Sequence, residues 1–166
     1  MLKTYGTLPY SLATILKAFN TIEIRRKWDK AFSSIDVLDK REEEDKTIEV
    51  LYLYMKMPFI MSDRDWIQQK KFWNNYGGKE KTALFHMKSV ENKDYPEKTK
   101  PVRAKMFIGG YYMEEVNENE TKIITLNHTD VKLPKMLFGT AQKKAPEGAK
   151  NFLVYLQKGC ELALKQ

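Results

Sequence analysis

The chain has 166 residues, 42% apolar and 31% charged, the size and balance of one globular domain able to bury a core of its own. Its 29 lysines and arginines against 22 acids leave a net charge of +7, which favours anionic partners, either nucleic acid or the headgroups of an acidic membrane leaflet. No apolar run approaches the roughly 18–20 residues that cross a bilayer, no signal-peptide core opens the chain, and the single cysteine, Cys160, excludes an internal disulfide, so the expected location is cytoplasmic.

Leu2 to Leu8 alternates as a short strand closed by Pro9. Ser11 is the predicted N-cap of a helix carrying Leu12, Ile15, Leu16 and Phe19 on one stripe, and Asn20-Thr21 ends it. Thr21 then caps a second helix with Ile22, Ile24, Trp28 and Phe32 as its buried side chains. From Ser34 the period changes to two. Strands are expected around Ile35 to Leu38, over Thr47 to Lys56, Arg64 to Trp73 and Thr82 to Val90, with turns at Arg41 to Lys46 and Asn74 to Gly78. A polar connection over Glu91 to Lys100 precedes a last hairpin, Val102 to Glu115 and Thr121 to Thr129. The final helix begins near Leu133-Pro134 and runs to Lys165, with an interruption expected at Pro146 and Gly148. A curved antiparallel sheet gripping a terminal helix satisfies this order and belongs to the α+β class.

The residues carry few signs of catalysis. His86 and His128 lie on separate strands without ligand-spaced partners, Cys160 has no catalytic neighbours, and no nucleophile motif occurs. No enzyme, metal or cofactor is expected. The lysines are scattered and no RNA-binding sheet motif is present, so nucleic acid is not the expected partner. Arg25 and Asp29 stand four apart on one helix face, either as an exposed ion pair or as a held arginine that meets a ligand.

The ordered markers Arg25 to Asp29, Pro58-Phe59-Ile60-Met61-Ser62-Asp63-Arg64-Asp65-Trp66, Ser89-Val90, Val102-Arg103-Ala104 and Leu133-Pro134 resemble the START (StAR-related lipid-transfer) family, nearest in motif to its phosphatidylcholine-transfer branch. The resemblance implies a helix-grip fold over residues 1–166 with one lipid in a central hydrophobic tunnel, without the helix and two strands with which START domains usually begin. It implies lipid binding and transfer, most simply of a phospholipid, with transient contact to anionic membranes. A sterol or other apolar carrier, or a protein-interaction module on the same fold, are the alternatives.

For the headgroup it implies Arg25 on the lipid phosphate, held by Asp29, and an aromatic cage whose positions fall at Phe19, Leu53, Trp66 and Phe107. With Trp66 inward, alternation sends Gln68 and Lys70 inward too, Lys70 as a second anion contact and Leu53 and Gln68 as lining. Arg103, Lys105 and Phe107 are expected to share an inward face. Met57, Phe59, Ile60 and Met61 form the expected lid, a role suited to flexible methionine, and Arg64-Asp65 is assigned to locking that loop.

Overall fold

The computed structural model describes residues 1–58 and 61–166. Eight strands among them form one sheet, seven of them in the order β1-β8-β7-β5-β4-β3-β2, antiparallel along that path, and the eighth pairing with β4. β1 (Leu2–Leu8) lies along β8 (Glu120–Asp130) at one edge, and β2 (Ser34–Glu42) closes the other edge on β3 (Thr47–Met55). β4 (Arg64–Asn74), β5 (Thr82–Ser89) and β7 (Lys105–Asn117) make the centre.

The expected strand over Val102 to Glu115 is two strands. Val102 N–H donates to Asp63 O and Ala104 N–H to Asp65 O, each at 2.9 Å, so β6 (Val102–Arg103) lies parallel to β4 before β7 begins. That loop-to-strand pairing skips over the Glu91–Lys100 connection and leaves no local sequence signal.

Two short helices leave β1 for the concave side. α1 (Leu12–Asn20) starts at Ser11, whose Oγ accepts from Thr14 N–H at 3.3 Å, and buries Leu12, Ile15, Ala18 and Phe19. α2 (Ile22–Trp28) has Thr21 at its N-cap position, but that side chain makes no capping bond. Trp28 instead fixes α2 to α1, donating Nε1–H to Ala18 O at 2.9 Å.

α3 (Phe138–Leu164) runs unbroken through Pro146 and Gly148, where the sequence predicts an interruption. Pro146 frees the carbonyl of Gln142, and both residues are exposed, so water can satisfy that acceptor and the helix survives. The C-terminal half packs on α1, α2 and β1 through Leu156, Gly159, Cys160 and Ala163. A Cβ on Gly159 would stand 2.5 Å from Trp28 Cδ1, so glycine sets how closely α3 approaches α2. Burial pushes the Cys160 thiol up to about 12, which makes it a packing group rather than a nucleophile.

The interior is divided. One apolar cluster joins the three helices to β5, β7 and β8 around Phe19, Trp28, Phe85 and Met113; a second joins Ile35, Leu51, Leu53, Trp66 and Ala104. Along the inner row of β4, Trp66 belongs to the second cluster and Phe72 packs on the first. Gln68 and Lys70 lie between them, and both are buried.

Candidate ligand-binding site

Alternation along β4 places Trp66, Gln68 and Lys70 inside, with 3%, 2% and 3% of their surface exposed. A buried ammonium must be partnered. Lys70 Nζ meets Glu49 Oε2 at 2.7 Å and Asn20 Oδ1 at 3.3 Å, and stands 5.5 Å from the centroid of the Phe85 ring. Glu49 is its register partner on β3, so the pair spans two neighbouring strands on one face. Burial, then the charge of Arg25, holds the Lys70 ammonium down to about 8, against the opposing pull of Glu49.

Arg25 enters the same region from α2. It is 4% exposed, and among the described residues its guanidinium makes one hydrogen bond, Nε to Asp29 Oδ2 at 3.3 Å. The i,i+4 spacing puts the carboxylate one turn away, where it restrains the side chain and leaves the two Nη groups without a protein acceptor among the described residues. Tyr111 of β7 lies close enough to feel both charges. Burial chiefly raises its phenol to about 12, with Arg25 opposing and Asp29 adding. Four charged side chains and a phenol therefore surround one patch of interior.

The four expected cage positions do not form a cage. Phe19 is committed to an aromatic cluster, with ring centroids 5.4 Å from Trp28, 5.2 Å from Phe85, 5.1 Å from Tyr111 and 6.2 Å from Phe152. Leu53 and Trp66 are register partners in the second cluster, where Trp66 meets Phe32 edge to face at 5.5 Å. The indole Nε1–H of Trp66 is buried and has no acceptor among the described residues.

Phe107 is on the wrong side of the sheet. Arg103, Lys105 and Phe107 do share a face, but Ala104 and Met106 are the residues that fill the second cluster, which turns the other three outward. Phe107 is 48% exposed, its ring tilted against His128 at 4.8 Å between centroids, with Lys105 Nζ 5.4 Å from its ring. The register shift between Met106 and Ile108 makes Phe107 the bulged residue, after which Gly109, Tyr111 and Met113 face inward. Arg103, also expected inside, pairs with Asp65 at 2.8 and 3.0 Å, and Lys105 is solvent-exposed.

Phe59 and Ile60 of the expected lid lie outside the described residues. Met57 and Met61 flank them and are half-buried. Asp63 organises this loop: its carboxylate accepts from Met57 N–H at 2.9 Å and from the Tyr54 hydroxyl. Arg64 donates to Ser62 O of the loop, to Val131 O at 2.5 Å and to Lys132 O at 2.9 Å, tying the loop to the segment that leads into α3. A groove of about 390 Å³ lies elsewhere, at the β1 edge beside Tyr5, Thr7, Tyr112 and Lys122, and none of the buried interior charges reaches it.

The START domain family model matches residues 1–162. The phosphatidylcholine transfer protein of Mus musculus is 23% identical over 162 residues, which cover 96% of this chain and 72% of the relative. Human STARD10 superposes with a TM-score of 0.80 at 23% identity, covering 99% of this chain and 66% of that one. Human StAR-related lipid transfer protein 5 gives 0.79 at 20% identity, covering 96% and 74%. The chain thus spans about two thirds to three quarters of the length of these relatives, and at such identities the solved structures speak for the fold. With sheet, gripping helix and family model in agreement, the chain belongs to the START domain family.

Proposed function

We propose that this protein binds a phospholipid in the interior between the sheet and α3 and carries it between membranes, with Arg25 on the phosphate and Lys70 as the second cation. The observation that carries this reading is Arg25 itself: a guanidinium 4% exposed whose paired Nη donors have no protein acceptor among the described residues. Such a group is costly inside a protein unless an anion completes it, and phosphate oxygens match its fork. Acyl chains supply the bulk of affinity, at about 0.8 kcal/mol for each buried CH₂, so the arginine selects rather than drives binding. Exchange takes place at the membrane surface, where the loop before β4 and the leading end of α3 open together. In this reading the site binds its ligand without chemistry, with Asp29 and Glu49 serving as partners of the protein's own cations.

The test is transfer of fluorescent phospholipid between liposomes. Arg25→Ala is expected to fold, by circular dichroism, and to lose roughly 2–5 kcal/mol of headgroup binding, with Asp29→Asn less affected. Full transfer by a folded Arg25→Ala protein overturns the phosphate role. A sterol is the second reading, favoured by the unpartnered Trp66 N–H in its apolar cluster, a place where one ligand hydroxyl could be held. Sterol loading would survive both substitutions.

A further inference from the structure

A headgroup with a fixed cation needs either free aromatic faces or a free carboxylate. Among the described residues the carboxylates beside Arg25 and Lys70 are taken, and the expected cage positions assemble no cage. Phe19 has four aromatic neighbours, Trp66 packs on Phe32, Phe107 is outside, and Leu53 is aliphatic. Phe85 is stacked on Phe72 at 4.7 Å, and the cation set over its ring is the protein's own, Lys70 Nζ. Asp29 and Glu49 each hold a protein cation at 3.3 and 2.7 Å. Hydrogen-bonding capacity is unbalanced in the opposite sense: the Nη groups of Arg25 and Nε1 of Trp66 are donors without acceptors among the described residues. What is missing from this interior is acceptor oxygen, not positive charge.

Resting on the phospholipid reading above, we infer that the preferred ligand is an anionic phospholipid without a quaternary ammonium, of the phosphatidylglycerol or phosphatidic acid type, and that phosphatidylcholine is discriminated against. Its phosphate oxygens complete Arg25 and Lys70, and an ester or hydroxyl oxygen further along the β4 row reaches Trp66 Nε1. A trimethylammonium beside that phosphate would be driven against Lys70 and Arg25 with no assembled cage to hold it. Burial first, and the charge of Arg25 second, hold the Lys70 ammonium down, and an arriving anion would oppose both effects.

The experiment keeps membrane charge out of the comparison. Donor vesicles carry equal amounts of phosphatidylglycerol and phosphatidylcholine with identical acyl chains, and native mass spectrometry reads which lipid the protein extracts. Enrichment of phosphatidylglycerol by about tenfold or more is expected, falling toward equality in Lys70→Gln. Equal extraction, or preference for phosphatidylcholine, overturns the headgroup inference and leaves phospholipid carriage standing. Extraction of neither, with uptake of cholesterol from vesicles that contain it, overturns both. Glycerol 3-phosphate is the control for a water-soluble phosphate: if it displaces bound phosphatidylglycerol at micromolar concentration, the site serves a free phosphate ester and the lipid inference fails. Should Lys70→Gln not fold, the wild-type ratio still decides the matter.

Discussion

On the proposed reading, Lys70 should make ligand binding sensitive to pH around 8. Its ammonium is held down to about 8, so it is charged at neutral pH and loses its proton as pH rises through that value. A bound anionic headgroup favours the charged form, so binding takes up a proton above about pH 8 and weakens as pH rises further. The neighbouring phenol of Tyr111 is raised to about 12, chiefly by burial, and lies outside that window. Binding of fluorescent phosphatidylglycerol is therefore expected to fall between about pH 7 and about pH 9.5 in the wild type and to be weaker but flat in Lys70→Gln. An equally steep fall in the variant would place the titrating group elsewhere. Alternation in the sequence is enough to bring Lys70 and Gln68 inside, and i,i+4 spacing is enough to pair Arg25 with Asp29. Glu49 is a residue that sequence reasoning misses, although it shares the parity of Leu51 and Leu53; a carboxylate on the inward parity of an apolar strand is the available signal. Nor does alternation orient Phe107, since strand parity has two senses and the choice is made by Ala104 and Met106 filling the second cluster.

At the scale of elements, the join between α2 and α3 depends on one glycine. Trp28 cannot turn aside for a larger residue at position 159, because its indole nitrogen is hydrogen-bonded to Ala18 O and its ring packs on Phe19 and Phe152. Gly159→Ala puts a methyl carbon 2.5 to 2.7 Å from three atoms of that ring, overpacking worth about 1–3 kcal/mol. Thermal unfolding should move down by several degrees, whereas Gly148→Ala, whose added carbon meets nothing, should hold or raise stability as glycine leaves a helix interior. Equal effects at the two positions would show that α3 is not seated on Trp28. Strong periodicities make most elements legible in the sequence, including β1, both short helices and the strands β3, β4, β5 and β8. Two features are not legible there. β6 is created by a parallel pairing with β4 that no local pattern announces, and α3 continues across Pro146 because the freed carbonyl faces water.

For the whole molecule, the proposed carriage requires that a protein with +7 net charge meet a bilayer. The segment leading into α3 carries both kinds of group that a membrane surface holds: Lys132 and Lys135 are exposed, Met136 is 86% exposed and Phe138 49%. Arg64 fastens this segment to the loop before β4 through the carbonyls of Ser62, Val131 and Lys132, so a force on one reaches the other. In the proposed cycle, the lysines bring the segment to an acidic surface, at about 1 kcal/mol for each cation near the headgroups, and the apolar tips enter the interface. These contributions separate experimentally. Lys132→Ala with Lys135→Ala should slow transfer from phosphatidylserine-containing vesicles, flatten its dependence on salt, and leave transfer from neutral vesicles unchanged. Met136→Asp with Phe138→Asp should slow transfer from both, with the melting temperature nearly unchanged because neither side chain is part of the core. A large loss of stability in that second variant would assign the two residues to packing. Unchanged transfer from both kinds of vesicle would move the point of membrane entry away from the start of α3 and toward the loop that Asp63 and Arg64 hold.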